Sequence, residues 1–146
     1  MKEPIITYKD GHAYCEVIDS MGRIFSGSAH CADVDKDFEN KLTGCYIAER
    51  RAEIAAARTY RDDLKIKLSA LKQLLYSMKM SKHFNPKSYE SKSLFRQIHL
   101  LENDLDIAKH QLAVLKVELY EYIQDKETLY QELRKRRKQK LDKKEK

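Results

Sequence analysis

Residues 76–90 place Tyr76, Phe84 and Tyr89, Met78 and Met80, His83 and Asn85 among Lys79, Lys82 and Lys87. A plain connection between two helices needs only a few polar residues and a Gly or Asn. Aromatic and Met side chains in such a stretch either cap the neighbouring core or hold a flat ligand. Composition leaves both open, and the concentration of function on loops held by rigid scaffolds favours a site. A second group lies upstream. Arg58 and Arg61 flank Tyr60 within one helical turn, two guanidinium groups and a ring that suit a phosphate and a base. Ion pairs with Asp62, Asp63 or Asp104 compete with that reading. Arg50 interrupts an apolar heptad and invites the plainer explanation of a packed stem with its head in water. The chemistry on offer is recognition. No paired acid and base, nucleophile elbow or metal triad is present, so no catalytic residue is assigned and the chain reads as non-enzymatic.

Cys15, Cys31 and Cys45 are odd in number and widely spaced, with no C-x-x-C. They match neither a zinc ribbon nor a redox motif, and reduced thiols acting as small apolar groups are expected. His30 with the three cysteines could supply four metal ligands, but their spacing fits no standard zinc site, so no metal or cofactor is expected. The formal charge of +6 is unevenly spread. Residues 134–146 hold nine Lys/Arg and two acids, a net +7, which leaves the rest of the chain at −1. That basic run reads first as a solvated helix end, since no aromatic residue is interleaved for base stacking. A nucleic-acid-binding regulator using this run is the first competing function, and a protein-binding coiled-coil adaptor the second. Four Gly and two Pro are too few for a many-stranded sandwich, and no Gly-rich loop follows a strand. No apolar run reaches 18 residues and the start lacks an apolar leader, so no membrane partner is expected.

The elements that must position these residues follow from periodicity. Ile5–Tyr8, Ala13–Ile18 and Ile24–Cys31 read as three strands, with Asp10-Gly11 and Asp19–Arg23 as turns and Gly27 marking a bulge or a close approach. Residues 32–43 read as a connector whose acidic residues lack the Gly and Glu of a calcium loop. A long helix is expected from Thr43 or Gly44, with Thr43 as cap, to about Met80. Its stripe is Ile47, Ile54, Ala57, Leu64, Leu68, Leu71, Leu75 and Met78. A second helix is expected from Ser88. Leu94, Ile98, Leu101, Leu105, Ala108, Leu112, Leu115, Leu119, Tyr122, Lys126, Leu129 and Leu133 form its coiled-coil seam.

A short loop makes the two helices antiparallel. With Met78 opposite Leu94, position i faces 172 − i, and Arg50 faces Tyr122. A second apolar line, Phe95, Leu100, Ile107, Val114, Val117 and Ile123, cannot be covered by one hairpin, which calls for a dimer or higher homo-oligomer. The expected fold class is α+β: a small N-terminal antiparallel β-meander and connector (1–40), a long antiparallel two-helix coiled-coil hairpin in the same domain (41–133) and a basic C-terminal tail (134–146).

Gly27-Ser28-Ala29-His30-Cys31, Thr43-Gly44-Cys45-Tyr46-Ile47-Ala48-Glu49-Arg50-Arg51-Ala52-Glu53-Ile54, Leu75-Tyr76-Ser77-Met78 and the Phe84-Asn85 loop together resemble the phage Thoeris anti-defence proteins that act as signal sponges. The resemblance spans about residues 5–125 and omits the basic tail. It implies a protein of the host cytoplasm that binds cyclic ADP-ribose isomers made by bacterial TIR-domain proteins and holds them intact. It also implies cyclic di- or trinucleotides at separate sites in higher oligomers. The site it implies has an aromatic on the adenine, an Asn, and arginines at the phosphates, at a subunit interface. By type and position Phe84, Asn85, Tyr89, Arg58, Arg61 and Arg96 match those roles best.

Overall fold

The computed structural model describes residues 3–31 and 40–144. Its elements are β1 (Ile5–Lys9), β2 (His12–Ile18), β3 (Ile24–His30), α1 (Lys41–Lys79) and α2 (Tyr89–Lys144). This is the expected α+β order, a three-stranded antiparallel sheet followed by two long helices. The acidic connector falls mostly on residues 32–39, outside the described residues.

Asp10 and Gly11 turn the chain between β1 and β2 with φ of 51° and 80°, the two positive values that a tight hairpin requires. At the next turn the Asp19 carboxylate accepts the Met21 and Arg23 amides, each at 2.9 Å, and Arg23 Nε at 2.7 Å. The sheet has one buried face. Ala13, Cys15, Val17 and Ala29 form a core with Ala48 and Ala52 of α1. Pairing between β2 and β3 runs unbroken from His12↔His30 to Ile18↔Ile24, so Gly27 marks no bulge. It marks a close approach: a Cβ at Gly27 would collide with the Ala48 carbonyl and the Ala52 amide. Small residues on both elements let strand and helix backbones nearly touch.

α1 begins earlier than expected, and Asn40 rather than Thr43 is its cap. Asn40 Oδ1 accepts the Leu42 amide at 2.9 Å and the Thr43 amide at 3.3 Å, satisfying two otherwise orphaned donors. Thr43 lies inside the first turn and is buried. α2 starts behind Ser88, as expected, with the Ser91 amide donating to Ser88 Oγ at 3.2 Å.

The chain divides into two compact units: Met1–Ala56 with Val114–Lys146, and Ala57–Ala113. The start of α1 and the end of α2 therefore belong with the sheet's unit, and α2 continues as helix through Arg134 to Lys144. In the second unit the seam is as read. Leu64, Leu68, Leu94, Ile98, Leu105 and Ala108 are buried together, with Leu71, Leu75, Met78 and Leu101 packed on them. In the first unit, Tyr46 and Tyr122 approach with ring centroids 4.2 Å apart. In the second, Lys72 Nζ meets Glu102 Oε1 at 3.5 Å. Their index sums of 168 and 174 bracket the expected 172. The seam fails at Leu129, which is 44% exposed. The half-buried line runs through Tyr122, Lys126, Tyr130 and Leu133 instead, because a straight helix drifts away from a strict seven-residue repeat.

Candidate functional site at the hairpin end

The second unit ends in a tightly bonded turn. α1 stops after Lys79; the Met80 amide still reaches the Tyr76 carbonyl at 3.2 Å, and then Ser81 and Phe84 donate to Met78 and Ser81 at 3.1 and 3.2 Å. Pro86 pushes Asn85 out of helical geometry. The Asn85 carbonyl accepts the Ser88 amide at 3.1 Å and the Ser91 hydroxyl at 2.8 Å, while its side-chain oxygen takes the Lys87 amide at 3.0 Å. Ser91 is 1% exposed, so the turn is anchored to the helix rather than tethered at its ends alone.

On this scaffold two grooves flank the start of α2. One, of ≈ 320 Å³, is lined by Met78, Ser81, His83, Phe84, Asn85, Ser88, Glu90 and Ser91. The other, of ≈ 280 Å³, is lined by Tyr89, Lys92, Ser93 and Arg96. Phe84 is half-buried and Tyr89 is 83% exposed. Lys79 Nζ stands 5.9 Å from the Phe95 ring centre. From Lys79 to Arg96 there are five Lys/Arg and one acid, a local surplus that favours an anion. The first groove offers a ring, amide donors and hydroxyls. The second offers an exposed ring beside two cations.

The six residues singled out in the sequence thus divide. Phe84 and Asn85 share one groove, and Tyr89 and Arg96 share the other. Arg58 and Arg61 do not join them. Eighteen residues of α1 separate Arg61 from Lys79, about 27 Å at 1.5 Å per residue, more than one nucleotide spans. Arg61 is half-buried and pairs with Asp62, with Nη2 to Oδ1 at 3.0 Å; Arg58 is exposed. Asn85 also carries a structural duty, since its side-chain oxygen closes the turn and leaves mainly its amide N–H groups for a ligand.

The other irregular residues have structural partners. In the first unit Arg50 lies 5.0 Å from the Tyr46 ring centre and pairs with Glu53 at 2.7 Å. Tyr46 first, and then Glu53, hold its guanidinium above its ordinary pKa. Cys15 is fully buried, and burial first, with Glu49 and Glu53 adding to it, pushes its thiol up. His12 and His30 stack across the strands with ring centroids 3.9 Å apart. Among the described residues no group of three or more His, Cys, Asp or Glu side chains is placed to hold a metal ion.

Two features escaped sequence reasoning. Ser69, Lys72, Gln73, Tyr76 and Ser77 line an open groove of ≈ 630 Å³ along α1 with Leu68; their polar spacing of three and four was visible beside the apolar stripe. A groove of ≈ 190 Å³ in the first unit gathers Tyr8, His30, Thr43, Glu127 and Tyr130, which no local pattern links.

No protein-family model matches the chain, nor does any curated protein or solved structure. Among the described residues no helix is long and apolar enough to cross a membrane.

Proposed function

We propose that this protein is a phage anti-defence sponge. It binds a cyclic ADP-ribose-type signal of bacterial TIR proteins in the host cytoplasm and withholds it, unaltered, from the Thoeris effector. The observation that carries the proposal is the pair of grooves at the hairpin end. Phe84 offers a stacking face for adenine, and the Asn85 amide offers donors for the base or a ribose diol. Lys92 and Arg96 offer charge for a pyrophosphate, with Tyr89 beside them. The sequence resemblance supports the same reading, and the sheet-then-hairpin order is the fold it implies. Each groove alone is at or below the small end of ligand pockets. Arg58 and Arg61 enter this reading only if a second copy brings them to the site.

Calorimetry with glycocyclic ADP-ribose isomers tests the proposal. Tight binding is expected, with intact nucleotide recovered after heat denaturation. Phe84→Ala should weaken binding by about 1–3 kcal/mol, and Arg96→Ala by about 1.5–3 kcal/mol. Hydrolysed product would make the protein an enzyme, and absence of binding would end the sponge reading.

A second reading, a protein-binding adaptor, is favoured by one observation. With Lys72 opposite Glu102, Leu74 lies level with Leu100, and Ile66 lies close to the level of Ile107. By helical periodicity all four project on the side of the hairpin away from that ion pair. They are 51%, 54%, 69% and 56% exposed in that order, an apolar side that water does not favour.

A further inference from the structure

We propose that the last turns of α2, Arg134–Lys144, grip the phosphate backbone of nucleic acid without reading its sequence, a function separate from nucleotide sequestration. These eleven residues hold eight Lys/Arg and one acid, Asp142. They continue α2 as helix, so the charges are held at helical spacing rather than on a loose coil. At about 100° per residue the cations surround the axis, leaving no arc wider than about 80° without one. Every residue from Lys135 to Lys144 is exposed.

The segment spans about 16 Å, so it presents one net positive charge every ~2.4 Å. Duplex DNA presents one negative charge per ~1.7 Å of axis. The two linear densities are of one order, and that match is what favours a polyanion. Within the helix Lys135 and Lys138, Arg136 and Lys140, and Lys140 and Lys144 stand three or four residues apart and repel. Glu132 offsets part of this through Arg136, with Nη2 to Oε1 at 3.1 Å. A phosphate backbone would relieve the remainder. A lipid surface fits less well, because Leu141 is the single apolar side chain in the segment and no apolar face exists to enter the bilayer. With no aromatic residue to stack on bases, the contact is to phosphates and indifferent to sequence.

Fluorescence anisotropy of the full chain with a short labelled DNA duplex of mixed sequence tests this. Binding should weaken between about 50 and 200 mM salt, and five engaged cations would give a log–log slope of about −4.5. Joint substitution of Lys135→Gln, Lys138→Gln, Lys140→Gln and Lys143→Gln should cut the slope by about 0.9 for each phosphate no longer neutralised and weaken binding at low salt about tenfold or more. The four Lys→Arg changes at the same positions should retain binding, which separates charge from damage to the fold. Absence of duplex binding, equal binding by the Gln variant, or tighter binding to phosphatidylglycerol vesicles than to DNA would each overturn the proposal.

Discussion

Gly27 and Gly22 ask for glycine for opposite reasons. Gly22 has a φ of +81° and open space where a Cβ would stand, whereas Gly27 faces the backbone of α1. Gly22→Ala should cost about 1–2 kcal/mol, the strain of left-handed backbone. Gly27→Ala should cost about 1–3 kcal/mol or more, because the strand must move off the helix. Urea unfolding checks both, the midpoint shifting at constant slope. A Gly27→Ala cost well below about 1 kcal/mol would contradict the close packing of β3 on α1. Cys15 has no exposed surface and a thiol pKa pushed up by burial, so iodoacetamide should label it last of the three cysteines. Mass spectrometry of a timed reaction should show Cys15 modified only on opening of the sheet core.

For the helices, the informative contrast is between two leucines five residues apart. Leu105 is 7% exposed inside the seam and Leu100 is 54% exposed beside it. Leu105→Ala should therefore cost about 2–5 kcal/mol of folding stability, while Leu100→Ala should stay within about 0.5 kcal/mol for the isolated chain. Thermal and urea unfolding of the two variants decide this. The same contrast explains what the sequence could reveal. Spacing of threes and fours identifies Leu64, Leu68, Leu94, Ile98 and Leu105 as a seam, because periodicity alone determines which side of a helix is apolar. Asp10-Gly11 locates its hairpin because few residues accept positive φ at both positions. Asn40 is not legible as the cap because Thr43 is also a favoured cap residue, though a weaker one than Asn, and the path of the chain selects between them. At the candidate site the residue types of Phe84, Asn85, Tyr89 and Arg96 are legible from the loop's composition and the resemblance. Their division between two grooves is not, since loop geometry depends on bonds such as Ser91 to the Asn85 carbonyl; the distance of Arg58 and Arg61 from the loop follows from the expected helix alone, at about 1.5 Å per residue.

For the whole molecule, the balance of exposed apolar side chains points beyond one copy. Leu100, Ile107 and Val117 each leave more than half of their surface in water, which an isolated hairpin gains nothing by keeping. Sedimentation at micromolar concentration should find no monomer. The double change Leu100→Lys and Ile107→Lys should yield a folded monomer with unchanged helical content. If wild type sediments as a single chain, the apolar side serves another partner.

The division of the chain into its two units also sets an order of events during synthesis. The unit at the hairpin end is continuous, Ala57–Ala113, and its contacts close around one turn. The other joins Val114–Lys146 to Met1–Ala56 across it. The sheet's core partners on α1, Ala48 and Ala52, precede that gap, so on the ribosome only the surface that α2 covers, Tyr46 included, waits while 57 residues are added, roughly 3–11 s at 5–20 residues per second. Until then the groups that α2 will cover stand open. The hairpin end can form meanwhile from local contacts, so a later segment, Val114–Lys146, completes a unit begun before it.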